Sequence, residues 1–263
     1  MVEAAIIAGY RVFGFTEHAP RYHDRYLYAE EVEQGWDLQT LHDQFRRYAL
    51  HLDSLIEKFQ DRIEILRGFE AEIVPPEDYP ERMQDLRAQL PFDYIVGSVH
   101  YVNDIIIDYT PELFQKAVNR AGGLEQLQVQ YYQHLRDMVD ALRPEVIGHF
   151  DLIRRFAGPI VPSKVVLAAA REALEAAAAQ RCILDVNTGA YRKGLEHPYP
   201  APEFVKLARD LNIPFCFGDD SHRPSEVGAG IDAARHYLLS LGVREVSCLR
   251  RTDGPLVQQR IAL

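Results

Sequence analysis

Histidines and carboxylates recur at the ends of short apolar runs in this sequence, and together they form a set of metal-ligand types. The run Val12-Phe13-Gly14-Phe15-Thr16 leads into Glu17-His18. Others end in Gly68-Phe69-Glu70-Ala71-Glu72, in Gly97-Ser98-Val99-His100, in Gly148-His149-Phe150-Asp151 and in Gly218-Asp219-Asp220-Ser221-His222. Imidazole with carboxylate suits zinc, iron or manganese, whereas calcium and magnesium prefer oxygen ligands alone. A carboxylate can also bridge two ions. A single histidine ending an apolar run is more often a satisfied core residue than a ligand. Five run-ends that all carry His or Glu point instead to a metal cluster. Of the remaining histidines, His42, His51, His134 and His236 fall in helical patterns and His197 precedes Pro198. His23 lies in a long irregular stretch that can approach the cluster.

The runs themselves read as strands, over residues 12–16, 63–70, 94–98, 146–149, 183–186, 215–218 and 245–249. Helical patterns lie between them. Leu41, Phe45, Tyr48, Leu52, Leu55 and Phe59 share one face, and Leu124, Leu127, Tyr131, Leu135, Met138 and Leu142 do the same after Gly122-Gly123. Ser163 is placed to cap an Ala-rich helix that runs to Gln180. Strand and helix alternate with no linker or repeat, which predicts one α/β domain over 1–263 with a parallel sheet. In such folds the site lies at the carboxyl ends of the strands, where these polar residues stand. The irregular stretch 19–36, rich in aromatics and charge, is long enough to expect a role at that end.

Composition narrows the function classes. The 263 residues carry a formal net charge of -10, which argues against a nucleic-acid backbone as main partner. The three cysteines, Cys182, Cys216 and Cys248, form no CxxC pair. That pattern suits free thiols in a reducing cytoplasm. The start MVEAAIIAGY has no basic region followed by an apolar core, and no apolar run reaches membrane-spanning length. A soluble, cytoplasmic protein is expected, with no nucleic acid or membrane as partner. Nothing in the sequence encodes an oligomeric state.

Thr16-Glu17-His18, Gly97-Ser98-Val99-His100-Tyr101, Gly148-His149-Phe150-Asp151, Asp185-Val186-Asn187-Thr188 and Asp220-Ser221-His222 resemble, in order, the motifs of the polymerase-and-histidinol-phosphatase (PHP) family. Gly-Ser-Val-His-Tyr followed by Ile107-Asp108, and Asn187-Thr188 followed by Arg192-Lys193, resemble its histidinol-phosphatase branch, and the resemblance spans nearly the whole chain. It implies a distorted (β/α)7 barrel with a trinuclear site of divalent metals (zinc, iron or manganese). Carried over, Glu70 would bridge two metals, His100 and His149 would hold the second, His18 and His222 the third, and Asp220 the first, with Asp219 the less suited of the two aspartates. The implied activity is hydrolysis of L-histidinol phosphate, a small phosphomonoester, in histidine biosynthesis. A water between two metals would lose a proton and attack phosphorus. Glu70, Asp220 and Arg192 are the candidate catalytic residues. Arg192, Arg21, Tyr101 and Asp108 are the candidate substrate contacts: Arg192 as a bidentate phosphate clamp and Asp108 as a partner for a cationic amine.

The sequence departs from the family at its start. The family opens with a strand ending in Asp-x-His-x-His, and here Met1 already falls in the helix expected after that strand. Without those histidines the first metal loses two ligands and the third loses one. A natural protein that starts further upstream is the favoured expectation, with a two-metal or non-catalytic variant as the alternative. The sequence alone predicts an open seam with two unpaired strand edges and substoichiometric metal. Two other readings compete: a family member acting on other phosphoesters, nucleic acid included, and a degenerate metal-binding protein without turnover. The acidic charge and the branch-like motifs favour the small phosphomonoester.

Overall fold

Short runs of β-branched and aromatic residues separated by amphipathic helices have few ways to bury both faces of a strand; a parallel sheet covered by its crossovers is one. The computed structural model describes residues 1–158, 161–252 and 256–263. Among them are β1 (Val12–His18), β2 (Glu64–Ala71), β3 (Tyr94–Gly97), β4 (Tyr101–Val102), β5 (Ile105–Ile106), β6 (Val146–Ile147), β7 (Ile183–Asn187), β8 (Phe215–Gly218), β9 (Glu245–Arg250) and β10 (Val257–Ala262). Six of them form one parallel sheet in the order β1-β2-β3-β6-β7-β8. Helices Leu38–Phe59, Tyr79–Gln89, Leu124–Leu142, Lys164–Gln180 and Pro202–Asp210 lie in the crossovers.

Alternation along each strand divides the core in two. Phe69, Ile95, Ile147 and Leu184 face the helices and pack with Phe45, Leu135, Met138 and Leu174. Leu66, Tyr94, Val146 and Ile183 face the other way and form a smaller inner cluster. Val12 and Cys216, from the two edge strands, both pack against that inner cluster, so the sheet curls on itself. This is the curled parallel α/β architecture the sequence implies. The helices follow their expected faces: Leu41, Phe45, Leu52 and Phe59 are buried in the first, and Leu127, Tyr131, Leu135, Met138 and Leu142 in the second. Ser163 caps Lys164–Gln180 by accepting from the Val166 amide at 3.3 Å. No helix among the described residues is long and apolar enough to cross a membrane.

One strand departs from expectation. Residues 245–249 do not join the parallel sheet; β9 pairs antiparallel with β10 as a separate hairpin. Its side chains explain the position. Leu249 enters the inner cluster, Arg250 Nε bonds Glu64 at 2.5 Å, and Arg251 pairs with Asp93. Glu64 opens β2 and Asp93 precedes β3, so the hairpin closes the amino end of the curl, opposite the polar strand ends. Among the described residues no other strand takes its place in the sheet. β1 and β8 are both edges, and a cavity of about 470 Å³ lies between them, lined by Val12, Gly14 and Thr16 on one side and Cys216, Phe217 and Gly218 on the other.

The inner face leaves no room at Gly68. A Cβ there would come within 2.6 Å of the Tyr94 ring and 2.9 Å of the Phe15 carbonyl oxygen. Neither can move freely, because Tyr94 is buried and Phe15 is sheet backbone. Gly68→Ala is therefore expected to destabilise the fold by about 1–3 kcal/mol, read as a lower urea midpoint at unchanged slope. A midpoint equal to that of the unaltered protein would contradict the packing described. A second check concerns His134, whose pKa is lowered by burial, offset in part by Asp137. The fold favours its neutral form, so stability is lost as pH falls through the ordinary histidine value near 6.5. The Tm of His134→Gln should fall less than that of the unaltered protein between pH 7.5 and 5.5, and parallel declines would contradict this.

Candidate metal centre

The polar residues that follow each strand meet at the carboxyl end of the sheet. Register sets His18 opposite Glu70, Glu70 opposite Val96, and Gly97 opposite Ile147. The ends of β1, β2, β3 and β6 therefore deliver their side chains at one level. Glu70 is 8% exposed. Its Oε1 accepts a hydrogen bond from the Ser98 hydroxyl, and lies 3.1 Å from His149 Nε2 and 3.7 Å from His100 Nε2. Its Oε2 lies 3.3 Å from His18 Nδ1. His18, Glu70 and His100 each offer a ligand atom within 4.8 Å of the others.

The backbone is shaped for this convergence. His149 has φ +23° and Asp220 φ +51°, values that non-glycine residues rarely adopt and that cluster at functional sites. Gly148, just before His149, has no space for a side chain: a Cβ would stand 2.6 Å from Ser98 Oγ. Its absence lets the end of β6 close on Ser98 and Glu70.

The charges are mutually stabilised. Burial alone would raise the Glu70 pKa, but His18, His149 and His100 around it reverse that and hold it well below the usual carboxylate range. Burial opposes a charge on His100, yet Glu72, which hydrogen bonds its Nδ1, and Glu70 raise its pKa to about 10. Asp185, in the middle of β7, is pushed up to about 7, mainly by burial. Several buried polar atoms nevertheless lack partners: His149 Nδ1, Glu72 Oε2 and Asp185 Oδ1, and His18 Nδ1, which is near Glu70 but not aligned for a hydrogen bond. Each unsatisfied group costs about 1–3 kcal/mol. Three imidazoles around a buried carboxylate, with unpaired nitrogens among them, fit a bound divalent metal ion.

Asp220 and His222 come from the loop after β8. Both line the cavity between β1 and β8 and also a larger cleft of about 950 Å³. Asp220 Oδ2 lies 3.5 Å from Lys193 Nζ, and His222 Nδ1 lies 3.0 Å from the Asp220 carbonyl. The Asp219 carboxylate accepts from the amides of Ser221, at 3.2 Å, and Gly228, at 2.7 Å, so it shapes the loop. Arg21, Asp108 and Arg192 line the larger cleft together with His18, Glu70 and His100. Arg21 is buried, stacks 4.1 Å over Tyr28 and donates to the Ala19 carbonyl at 2.7 Å. Arg192 Nη2 donates to the carbonyls of Asp219, at 2.7 Å, and Asp220, at 2.5 Å. The irregular stretch 19–36 supplies one wall through Arg21, Tyr28, Glu31 and Trp36.

Two expectations shift. Tyr101 does not line the cleft. It is buried in a cluster with Tyr26 and Val74, and its hydroxyl donates to the Tyr26 carbonyl at 3.2 Å. Its apolar ring fits the core behind the wall, where it supports the 19–36 segment rather than facing a ligand. His23 caps a short turn by accepting from the Arg25 amide. Three residues without an assigned role in the sequence prove to belong here. Glu72 holds His100. Asp185 lines the cavity beneath the site. Arg155 lines the cleft and lies 3.6 Å from Asp108 Oδ2. Glu72 was findable from its spacing, two residues after Glu70 where the alternation of the strand carries on; Arg155 ends a 3-10 turn with no periodic signal.

The PHP domain profile matches residues 1–189. A relative from Schizosaccharomyces pombe named as a probable histidinol-phosphatase is 36% identical over 97% of this chain and 84% of its own. Another of the same name from Deinococcus radiodurans is 31% identical over 96% of this chain and 90% of its own. The crystal structure of histidinol phosphate phosphatase from Lactococcus lactis, complexed with zinc, L-histidinol and phosphate, superposes with a TM-score of 0.71 at 22% identity, covering 94% of this chain and 88% of that one. At that identity the likeness speaks for the fold. The centre described makes its own prediction. His149→Ala and Glu70→Gln should each weaken zinc binding more than about tenfold, measured by chelator competition, while His51→Gln on an exposed helical face leaves it unchanged. Unaltered affinity in the first two would place the metal elsewhere.

Proposed function

The chain belongs to the PHP domain family, and from that premise we propose that it is a metal-dependent phosphomonoesterase that hydrolyses L-histidinol phosphate to L-histidinol and phosphate, a step of histidine biosynthesis. The observation that carries this reading is the gathering of His18, His100 and His149 on Glu70 at the floor of a cleft whose walls bear Arg21, Arg155, Arg192 and Lys193 beside the carboxylate of Asp108. Cations suit a phosphate, and a carboxylate suits a cationic amino alcohol. The relatives named histidinol-phosphatase over nearly the full chain support the same substrate.

Glu70, His100, His149 and His18, with Asp220 and His222 from the loop after β8, would hold the metals, taken as zinc, iron or manganese in a trinuclear arrangement. Bound there, divalent metal supplies Lewis acidity toward a phosphoryl oxygen and lowers the pKa of water. The protein supplies the rest. Arg192, fixed through its bonds to the Asp219 and Asp220 carbonyls, presents a planar cation to phosphate oxygens whose negative charge spreads in the transition state. Arg21 is held rigid by burial and by Tyr28, so its charge needs no reorganisation when substrate arrives. Asp108 accepts from the ammonium or imidazole end of the substrate.

The seam between β1 and β8 favours one refinement of this reading. Two parallel edges facing a cavity are the setting for one further parallel strand. The described candidate ligands, His18, Glu70, His100, His149, Asp220 and His222, are too few to fill the shells of three ions with about four ligands each. Two outcomes follow. Zinc counted per chain by native mass spectrometry should fall short of three for these 263 residues, and three tightly held ions would contradict the refinement. In protein supplied with manganese or zinc and turning over histidinol phosphate, Arg192→Lys should lower kcat/KM by about tenfold or more. Unchanged efficiency would remove Arg192 from phosphate binding, and turnover of phosphodiesters in preference to histidinol phosphate would overturn the substrate.

A further inference from the structure

We propose that Glu72 is the positioning residue of the metal centre: it does not itself ligate, but fixes His100 so that Nε2 faces the metal. This rests on the reading of the site as a metal centre. Glu72 follows Glu70 by two residues, one position past the end of β2, and both carboxylates approach His100. Their surroundings differ. Glu70 lines both the cavity and the cleft, whereas Glu72 lines neither and is 2% exposed. Glu72 therefore stands behind the imidazoles and Glu70 in front of them.

Its contacts match that place. Oε1 accepts a hydrogen bond from His100 Nδ1. With Nδ1 engaged, Nε2 is the nitrogen left on the Glu70 side, 3.7 Å from Oε1 of that residue. The same Glu72 oxygen lies 3.8 Å from His18 Nδ1, beyond hydrogen-bond reach, so His100 is the imidazole that this carboxylate fixes. A carboxylate behind a ligating histidine fixes ring orientation and makes the opposite nitrogen a better donor. His149 Nδ1, by contrast, has no hydrogen-bond partner among the described residues. His100 is thus the ring held most firmly before a metal arrives.

The test combines zinc affinity, by chelator competition, with ¹⁵N–¹H correlation spectra of the His100 ring in the zinc-loaded protein. The unaltered protein should show His100 bearing hydrogen on Nδ1 with Nε2 coordinated. Glu72→Ala should weaken zinc binding about 10–100-fold, less than His100→Ala, and should let the His100 ring populate the other tautomer. Glu72→Gln keeps the shape and an accepting oxygen but loses the charge, so it should retain hydrogen on Nδ1 while weakening zinc about tenfold. It also serves where the alanine variant does not fold. Coordination of His100 through Nδ1, or zinc affinity of Glu72→Gln equal to that of the unaltered protein, would overturn the proposal. A loss in Glu72→Gln as deep as in His100→Ala would make Glu72 a ligand and overturn it equally. Absence of zinc binding by the unaltered protein would instead overturn the metal reading on which it rests.

Discussion

A carboxylate with almost no access to water, Glu70, is the constraint around which this molecule is arranged. Burying an ionised carboxylate costs several kcal/mol unless opposite charge and hydrogen bonds meet it at close range. Here they come from Ser98, His18, His100 and His149, which stand after or at the end of three other strands. The register of β1, β2, β3 and β6 must therefore be right to the residue. A one-residue slip of a strand would turn its side chains to the opposite face.

The rest of the fold follows from that demand. Parallel pairing brings all carboxyl ends to one side, and helical crossovers bury the outer face, so the strands read as nearly continuous apolar runs until the polar residues at their ends. The inner face is closed at the opposite end by the β9–β10 hairpin through Arg250 with Glu64 and Arg251 with Asp93. Among the described residues the histidines that meet Glu70 gather at the carboxyl end of the curl. Strained backbone at His149 and Asp220 sits at that end too, where buried interactions can hold it in place.

Much of this was legible in the sequence because strand ends in a parallel fold share one location. His18, Glu70, His100 and His149 could be grouped without knowing any distance. The amphipathic helices and the Ser163 cap were equally readable, since both depend on local spacing. What the sequence hid depends on long-range pairing. Residues 245–249 have the composition of a sheet strand, and only their partner, Val257–Ala262, shows that they form a hairpin. Tyr101 follows directly on a ligand-bearing motif, yet alternation turns it into the cluster with Tyr26 and Val74. Arg155 reaches Asp108 from 47 residues away, a meeting that no local pattern encodes.

The most direct test of the central claim is anomalous diffraction at the zinc edge from crystals of the zinc-loaded protein. The account predicts a peak at the carboxyl end of the sheet, about 2.0–2.2 Å from a Glu70 oxygen and from Nε2 of His100 or His149. Anomalous density confined to other histidines, with Glu70 still enclosed by imidazoles and no metal beside it, would contradict it.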